Sequence, residues 1–121
     1  MRSKRPLYLT PPQGARTKAR RALEVRASLP PSKRGGLDPL EAQLQGITSG
    51  VAQARKIAAG RRLDVRQVAR FFARHRRNFE TAKSKGLTLR TSKAIQAWDL
   101  WGGEPMRRFV EREIRRADAK R

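Results

Sequence analysis

The chain has 121 residues and a formal net charge of +20, because its 30 lysines and arginines outnumber its 10 aspartates and glutamates. It has no cysteine and only one histidine, which excludes disulfides, thiolate metal sites and clusters of imidazole ligands. We expect one small domain with no metal and no cofactor. No run of about 20 apolar residues is present, and no apolar segment long enough for a signal peptide follows the early cations. The sequence therefore predicts a protein that is neither inserted in a membrane nor secreted.

The excess positive charge predicts a polyanionic partner. Twenty-two of the thirty cations are arginine. Its planar guanidinium forms paired hydrogen bonds with phosphate and stacks on bases, whereas lysine acts as a point charge. Nucleic acid is therefore the first candidate.

Residues 1–14 predict a basic extended arm. Arg2, Lys4 and Arg5 precede a short apolar group and the breaker Pro11-Pro12. Such arms track phosphates in some proteins and are disordered termini in others, and the sequence leaves both interpretations open.

Residues 15–36 predict a basic helix followed by a linker rich in proline and glycine. The helix runs from Ala15 to Ser28 with a thin apolar stripe. Lys18, Arg20 and Arg21 either lie along a phosphate backbone or form an ordinary solvated face. Pro30, Pro31 and the glycine pair at 35–36 then end the helix.

Residues 37–121 predict a helical core domain. The neutral stretch 37–60 begins with Asp38 as helix cap and Pro39 in the first turn. Gly46 and Gly50 interrupt its apolar seam, which favours a break that Thr48 or Ser49 recaps over a continuous helix. Its neutral charge indicates a structural role.

The strongest signal is the helix predicted from Asp64 to Phe79. Its apolar residues recur at steps of three and four, at Val65, Val68, Phe72, His75 and Phe79. Arginines follow the same rhythm on another face, at Arg66, Arg70, Arg74 and Arg77, with Arg76 widening that face. Asp64 is expected to cap the helix, with Gln67 reaching back in a capping box. No acid interleaves this face, so it predicts contact with a polyanion.

Two further helices are predicted after a loop at 80–90. One is capped by Thr91 or Ser92, and the other starts at Glu104-Pro105. Their apolar residues complete an aromatic core of Phe71, Phe72, Phe79, Trp98, Trp101 and Phe109. The fold class is therefore all-α, a compact bundle of four to five short helices with an extended basic N-terminal arm, and no strand is predicted.

Three stretches together resemble a family of small basic helical proteins, or domains of larger ones, from tailed bacteriophages. They are GITSGVAQARKIAAG at 46–60, FFARHRRNF at 71–79 and SKAIQAWDLWGG at 92–103, and the upstream PPSKRGGLDP fits the same pattern. The resemblance implies a phage or prophage origin, and a location in the host-cell cytoplasm near the nucleoid or in the virion. That family has no settled activity, so the resemblance implies no catalytic residue.

The residues themselves indicate no enzyme. His75 has no carboxylate placed beside it in the sequence, and on the apolar seam it is interpreted as a partly buried structural side chain. No nucleophile motif, phosphate-cradling glycine loop or acidic cluster for magnesium is present. The two tryptophans could stack on bases, but core packing is the favoured interpretation.

These observations predict a sequence-tolerant DNA-binding protein. Regularly spaced arginines suit phosphates, whereas base reading commonly uses Asn or Gln. The expected contact residues are Arg62, Arg66, Arg70, Arg74, Arg76, Arg77, Lys18, Arg20, Arg21, Arg2, Lys4 and Arg5. Two alternatives stay open: a virion or assembly component that neutralises packaged DNA, and an adaptor or inhibitor that docks on an acidic host protein. The phage-like stretches favour DNA over RNA.

Overall fold

The computed structural model describes residues 5–120. Within them, six α-helices and one antiparallel pair of two-residue strands follow one another as β1 (Tyr8–Leu9), α1 (Gln13–Ser28), α2 (Pro39–Gln45), α3 (Gly50–Ala58), β2 (Leu63–Asp64), α4 (Val65–Ser84), α5 (Lys93–Leu100) and α6 (Gly103–Ala119). The predicted all-α class is confirmed. The prediction of four or five helices was too low by at least one.

The 37–60 segment forms two helices because its backbone turns at Gly46. This residue adopts φ +68°, a left-handed conformation that other side chains disfavour. Ser49 then caps α3 by accepting a hydrogen bond from the Ala52 amide at 3.0 Å. Asp38 caps α2 in the same way, accepting from the Glu41 amide at 2.9 Å. The predicted break and both predicted caps are confirmed.

The N-terminal arm is held by the residue that caps α4. One carboxylate oxygen of Asp64 accepts from the amide of Leu7 at 3.0 Å and from that of Arg66 at 3.1 Å. β1 pairs with β2 beside this point, so the expectation of no strand was wrong. The second half of the capping box was also wrong, because the Gln67 amide donates to the Thr48 hydroxyl at 3.3 Å instead.

α1 packs inside the same core as the helices that follow it. Its buried side chains, Ala15, Ala19, Ala22 and Val25, are short, which lets α3, α5 and α6 approach closely. The thin apolar stripe seen in the sequence is therefore the mark of a tight helix contact. Residues 15–28 share one packing unit with the 37–120 part of the chain, and no boundary in packing lies at residue 36.

Two aromatic stacks fix α4 against α5. Phe71 lies on Trp101 with ring centroids 4.4 Å apart, and Phe79 lies on Trp98 at 4.2 Å, both with nearly parallel planes. The tryptophans are 1% and 5% exposed, which confirms their predicted place in the core. The pairing runs in reverse order along the two helices, so α4 and α5 pass each other in opposite directions.

The segment after α1 is tied to α5 by a buried glutamine. The Gln96 side chain accepts from the Gly35 amide at 2.5 Å and donates to the Lys33 carbonyl at 3.2 Å. From the other side, Arg26 Nε donates to the Gly35 carbonyl at 2.8 Å. The predicted linker at 29–36 therefore has a defined position against two helices.

Replacing this glutamine by an apolar residue tests how much the tie contributes. In Gln96→Leu the buried Gly35 amide loses its acceptor, so we expect the free energy of unfolding to fall by about 1–3 kcal/mol. Urea unfolding followed by circular dichroism measures it. Gln45→Leu, at an exposed position of α2, is the control and should stay close to the parent protein. Equal losses in both variants would contradict the assigned role.

Candidate nucleic-acid interface

The exposed face of α4 carries three arginines that no described residue engages. α4 buries Val65 and Val68 on the opposite side, and this leaves Arg70, Arg74 and Arg77 in solvent. The guanidinium groups of these three arginines form no hydrogen bond or ion pair with any residue from 5 to 120. Their spacing of four and three keeps them on one side of the helix. Three of the predicted contact residues are thus brought together as one open surface.

Arg66, predicted as a fourth member of this surface, serves a different role. Its guanidinium forms an ion pair with Asp118 near the end of α6 at 3.0 Å, and its Nε donates to the Arg5 carbonyl at 3.0 Å. The side chain is only 21% exposed. Arg66 is thus already engaged by the N-terminal arm and α6, and the phosphate contact expected of it stays a prediction.

Two other predicted cations are partly engaged. Arg62 donates to the Tyr8 carbonyl at 3.1 Å and so also holds the arm. Arg76 approaches Glu80 at 3.4 Å, with both side chains more than half exposed. An ion pair in that setting contributes little to stability, so a phosphate could displace the carboxylate at low cost.

A cleft opens beside Arg70 and Arg74. We call it the cationic cleft. It has a volume of about 760 Å³ and lies between α4, α5, the 34–37 segment and the turn between α2 and α3. Its lining residues are Arg34, Gly35, Gly36, Leu37, Ile47, Thr48, Gly50, Gln67, Arg70, Phe71, Arg74, His75, Lys93, Ala97 and Trp101. None of them is acidic, so the cleft favours anionic ligands.

The cleft adds cations that the sequence analysis missed. Lys93 at the start of α5 is exposed and forms no hydrogen bond or ion pair with a described residue. Arg34 is held in place, since its Nε donates to the carbonyls of Leu29 and Arg26 at 2.9 and 3.1 Å. The sequence shows that Lys93, Ala97 and Trp101 share one face of α5, but it gives no sign that this face meets Arg70.

The floor of the cleft is aromatic. Trp101 and His75 each stack on Phe71 with centroids 4.4 Å apart. The indole N–H of Trp101 donates to no described residue, in contrast to that of Trp98, which donates to Glu104 at 3.1 Å. Burial, aided by the nearby Arg74 guanidinium, lowers the pKa of His75 below its ordinary value of 6.5. The imidazole is therefore neutral near pH 7.

The part of the cleft that Ile47 and Thr48 form depends on the backbone carbonyl of Leu37. Leu37 O accepts from the Ser49 hydroxyl at 2.7 Å and from the Val51 amide at 3.2 Å. These two hydrogen bonds bring together the two ends of the segment 38–48, which we call the 38–48 excursion. Ile47 and Thr48, near the end of that excursion, line the cleft.

The basic residues predicted on α1 lie elsewhere. Lys18 and Arg21 line shallow cavities with Ile95 and Asp99, on the side of α5 opposite to Lys93 and Ala97. Burial raises the pKa of Asp99 there. Arg20 points its guanidinium at the Ala58 carbonyl, 3.5 Å away. Thus α1 does not extend the Arg70 surface.

The predicted contacts in the arm fall partly outside the described residues. Arg2 and Lys4 are outside residues 5–120, the part of the chain that the structure describes. Arg5 is exposed, and its carbonyl holds Arg66.

Within residues 5–120, no three His, Asp or Glu side chains are grouped as metal ligands would be. In the same range, no helix is long and apolar enough to cross a membrane.

Comparison with protein-family models, curated proteins and solved structures finds no match to this chain. The resemblance to phage proteins therefore stays a prediction. The site is interpreted from its own chemistry.

The depressed pKa of His75 makes stability depend on pH. A neutral imidazole is favoured in the folded state, so its contribution is fully present above the ordinary pKa and is lost as the pH falls through the folded-state pKa. We expect the parent protein to lose more unfolding free energy than His75→Phe between about pH 7.5 and about pH 5. Urea unfolding at a series of pH values measures the difference. Parallel curves for the two proteins would contradict the assignment.

Proposed function

We propose that the protein binds DNA with little sequence preference, through phosphates held by Arg70, Arg74 and Arg77. The observation that carries this is the open arginine face of α4, which continues into a cleft without acids. The three residues span seven steps of the helix, a rise of about 10 Å. Measured along the axis of the duplex, that length corresponds to about three phosphates of one strand, because each phosphate adds about 3.4 Å of axial rise.

The distribution of charge among the helices supports this choice of face. α4 carries six cations and one acid, whereas α6 carries five cations and four acids. Most acids of α6 pair with arginines of the same helix, such as Arg107 with Glu104 at 2.9 Å. Along Arg70 to Arg77 the carboxylate of Glu80 offsets one cation, Arg76, at 3.4 Å, and the other three arginines supply a positive field that favours encounter with a polyanion.

Sequence-tolerant binding follows from the side chains on this face. Two amides of α4 flank the arginines of this face: Gln67 donates to Thr48, and Asn78, exposed next to Arg77, is the one left that could pair with adenine. Phosphate contacts fix orientation on the duplex and carry no sequence information. We expect DNA to be favoured over RNA. We further propose a phage or prophage origin and a binding role without catalysis, in the host cytoplasm or the virion, on the strength of the sequence stretches described above.

A charge-matched pair of variants tests the proposed face. Changing Arg70, Arg74 and Arg77 to Gln should flatten the slope of log K against log salt by about 2.7, since three phosphate contacts contribute about 0.9 each. Changing Arg108, Arg112 and Arg115 on α6 removes the same charge at the same spacing. It should leave the slope close to that of the parent protein.

Fluorescence anisotropy with a random-sequence duplex, across a range of salt, measures both slopes. Equal flattening in the two variants would show that net charge alone drives binding. Absence of duplex binding at low salt would refute the proposed function. The same titration with an RNA duplex tests the preference for DNA.

A second candidate function is docking on a protein, as a virion component or an adaptor. The observation that favours it is a group of exposed apolar side chains on α2 and in the turn after it, where Leu40, Leu44 and Ile47 are 65%, 78% and 54% exposed. Co-sedimentation with capsids tests this candidate. We expect a Leu40→Glu, Leu44→Glu variant to lose that association while it keeps its affinity for DNA.

A further inference from the structure

We infer that the cationic cleft holds one unpaired nucleotide of the bound DNA. Its base lies against the aromatic floor of Phe71, His75 and Trp101. Its phosphate lies near Arg70, Arg74 and Lys93. This inference rests on the proposed function and deepens it. It assigns the protein a preference for DNA that offers an unstacked base, such as a bulge, a gap or a single-stranded end.

The shape of the cleft argues against a duplex as its occupant. The floor residues Phe71 and Trp101 are each 5% exposed and stack on each other, so a ligand must enter the cleft to touch them and reaches little of either ring, whereas the ring of His75 is partly exposed. A paired duplex is too wide to do so, whereas a single extruded nucleotide is not. A volume of about 760 Å³ lies in the range of pockets that enclose small ligands, roughly 300–1,000 Å³.

The chemistry of the lining selects a planar anion. Arg74 and Lys93 have no partner among the described residues and face no acid in the cleft. A phosphate alone would be served by the outer face of α4 and would gain nothing from an aromatic floor. A base gains apolar contact there and stacks on the partly exposed ring of His75, and base–aromatic stacking contributes about tenfold or more in affinity per base.

The free indole N–H of Trp101 is the most specific feature. A tryptophan in the core ordinarily donates this hydrogen to a partner, as Trp98 does to Glu104. Trp101 Nε1 has no such partner among residues 5–120 and reaches solvent in the cleft, since Arg16 Nε is the one fully buried side-chain nitrogen or oxygen in that range without a partner. It lines the cleft beside Gly50, where a ring nitrogen or carbonyl oxygen of a base would accept its hydrogen bond.

Gly50 provides a variant that blocks this donor without changing charge. A Cβ at position 50 would lie 3.5 Å from Trp101 Nε1 and 3.7 Å from Leu100 Cδ1, both ordinary contacts, and the glycine has no positive φ. Gly50→Ala should therefore fold normally and place a methyl group over the indole N–H. Lys93→Gln removes the cleft cation outside α4 whose side chain has no partner among the described residues, and Lys85→Gln removes an exposed cation outside the cleft as its control.

The experiment compares a blunt duplex with the same duplex carrying one unpaired thymine. We expect the parent protein and Lys85→Gln to bind the bulged duplex about tenfold more tightly than the blunt one. Gly50→Ala and Lys93→Gln should reduce that ratio several-fold. Gly50→Ala should keep the affinity and salt slope of the parent protein on the blunt duplex.

Nitrogen-15 NMR of the indole groups gives an independent readout, because the chain has two tryptophans. The bulged duplex should shift the Trp101 indole signal and leave that of Trp98 in place. Equal affinity for both duplexes would overturn the inference while the proposed function stands. A preference that both cleft variants retain would place the unpaired base elsewhere. Absence of binding to either duplex would refute both proposals.

Discussion

The position of every charged group on α4 depends on two aromatic stacks. Phe71 on Trp101 and Phe79 on Trp98 lie two turns apart on α4, so together they fix both its rotation and its height against α5. A single stack would leave the helix free to pivot. With both in place, Arg70 and Arg74 come to lie opposite Lys93, and Arg77 lies in solvent. The position of α4 in the candidate site is thus set by apolar packing, and the side chains of Arg70, Arg74 and Arg77 form no hydrogen bond or ion pair with residues 5–120 that would hold it.

Arg66, near the start of α4, also stabilises the fold. Arg66 joins Asp118 and the Arg5 carbonyl, so one guanidinium holds together the start of the described chain, its centre and the end of α6. The other acids of α6 pair locally and do not reach α4. The remaining cations of α4 therefore repel one another along one surface, and this lowers the stability of a domain whose core is small. Such a charge imbalance is a common feature of surfaces that meet polyanions.

The sequence predicted the class of fold, the caps at Asp38 and Ser92 and the buried tryptophans, because local periodicity and cap chemistry report on local structure. It could not predict which arginines stay open. Arg66 and Arg70 follow the same helical spacing, and only the tertiary approach of α6 and the arm separates them. Lys93 was missed for the same reason, since nothing in its own helix indicates that α4 passes beside it. The cleft arises from four segments that are distant in the chain.

The excursion of residues 38–48 gives the two walls of the cleft unequal stability. α4 and α5 are anchored in the core, whereas α2 buries only Ala42, and the 38–48 excursion is tied at its base through the Leu37 carbonyl and near its end by the hydrogen bond from Gln67 to Thr48. An element with so little buried apolar surface opens locally at a far lower free energy than the whole domain unfolds. Ile47 and Thr48 would move with it. Local opening of α2 would widen the entrance of the cleft while the aromatic floor stays folded.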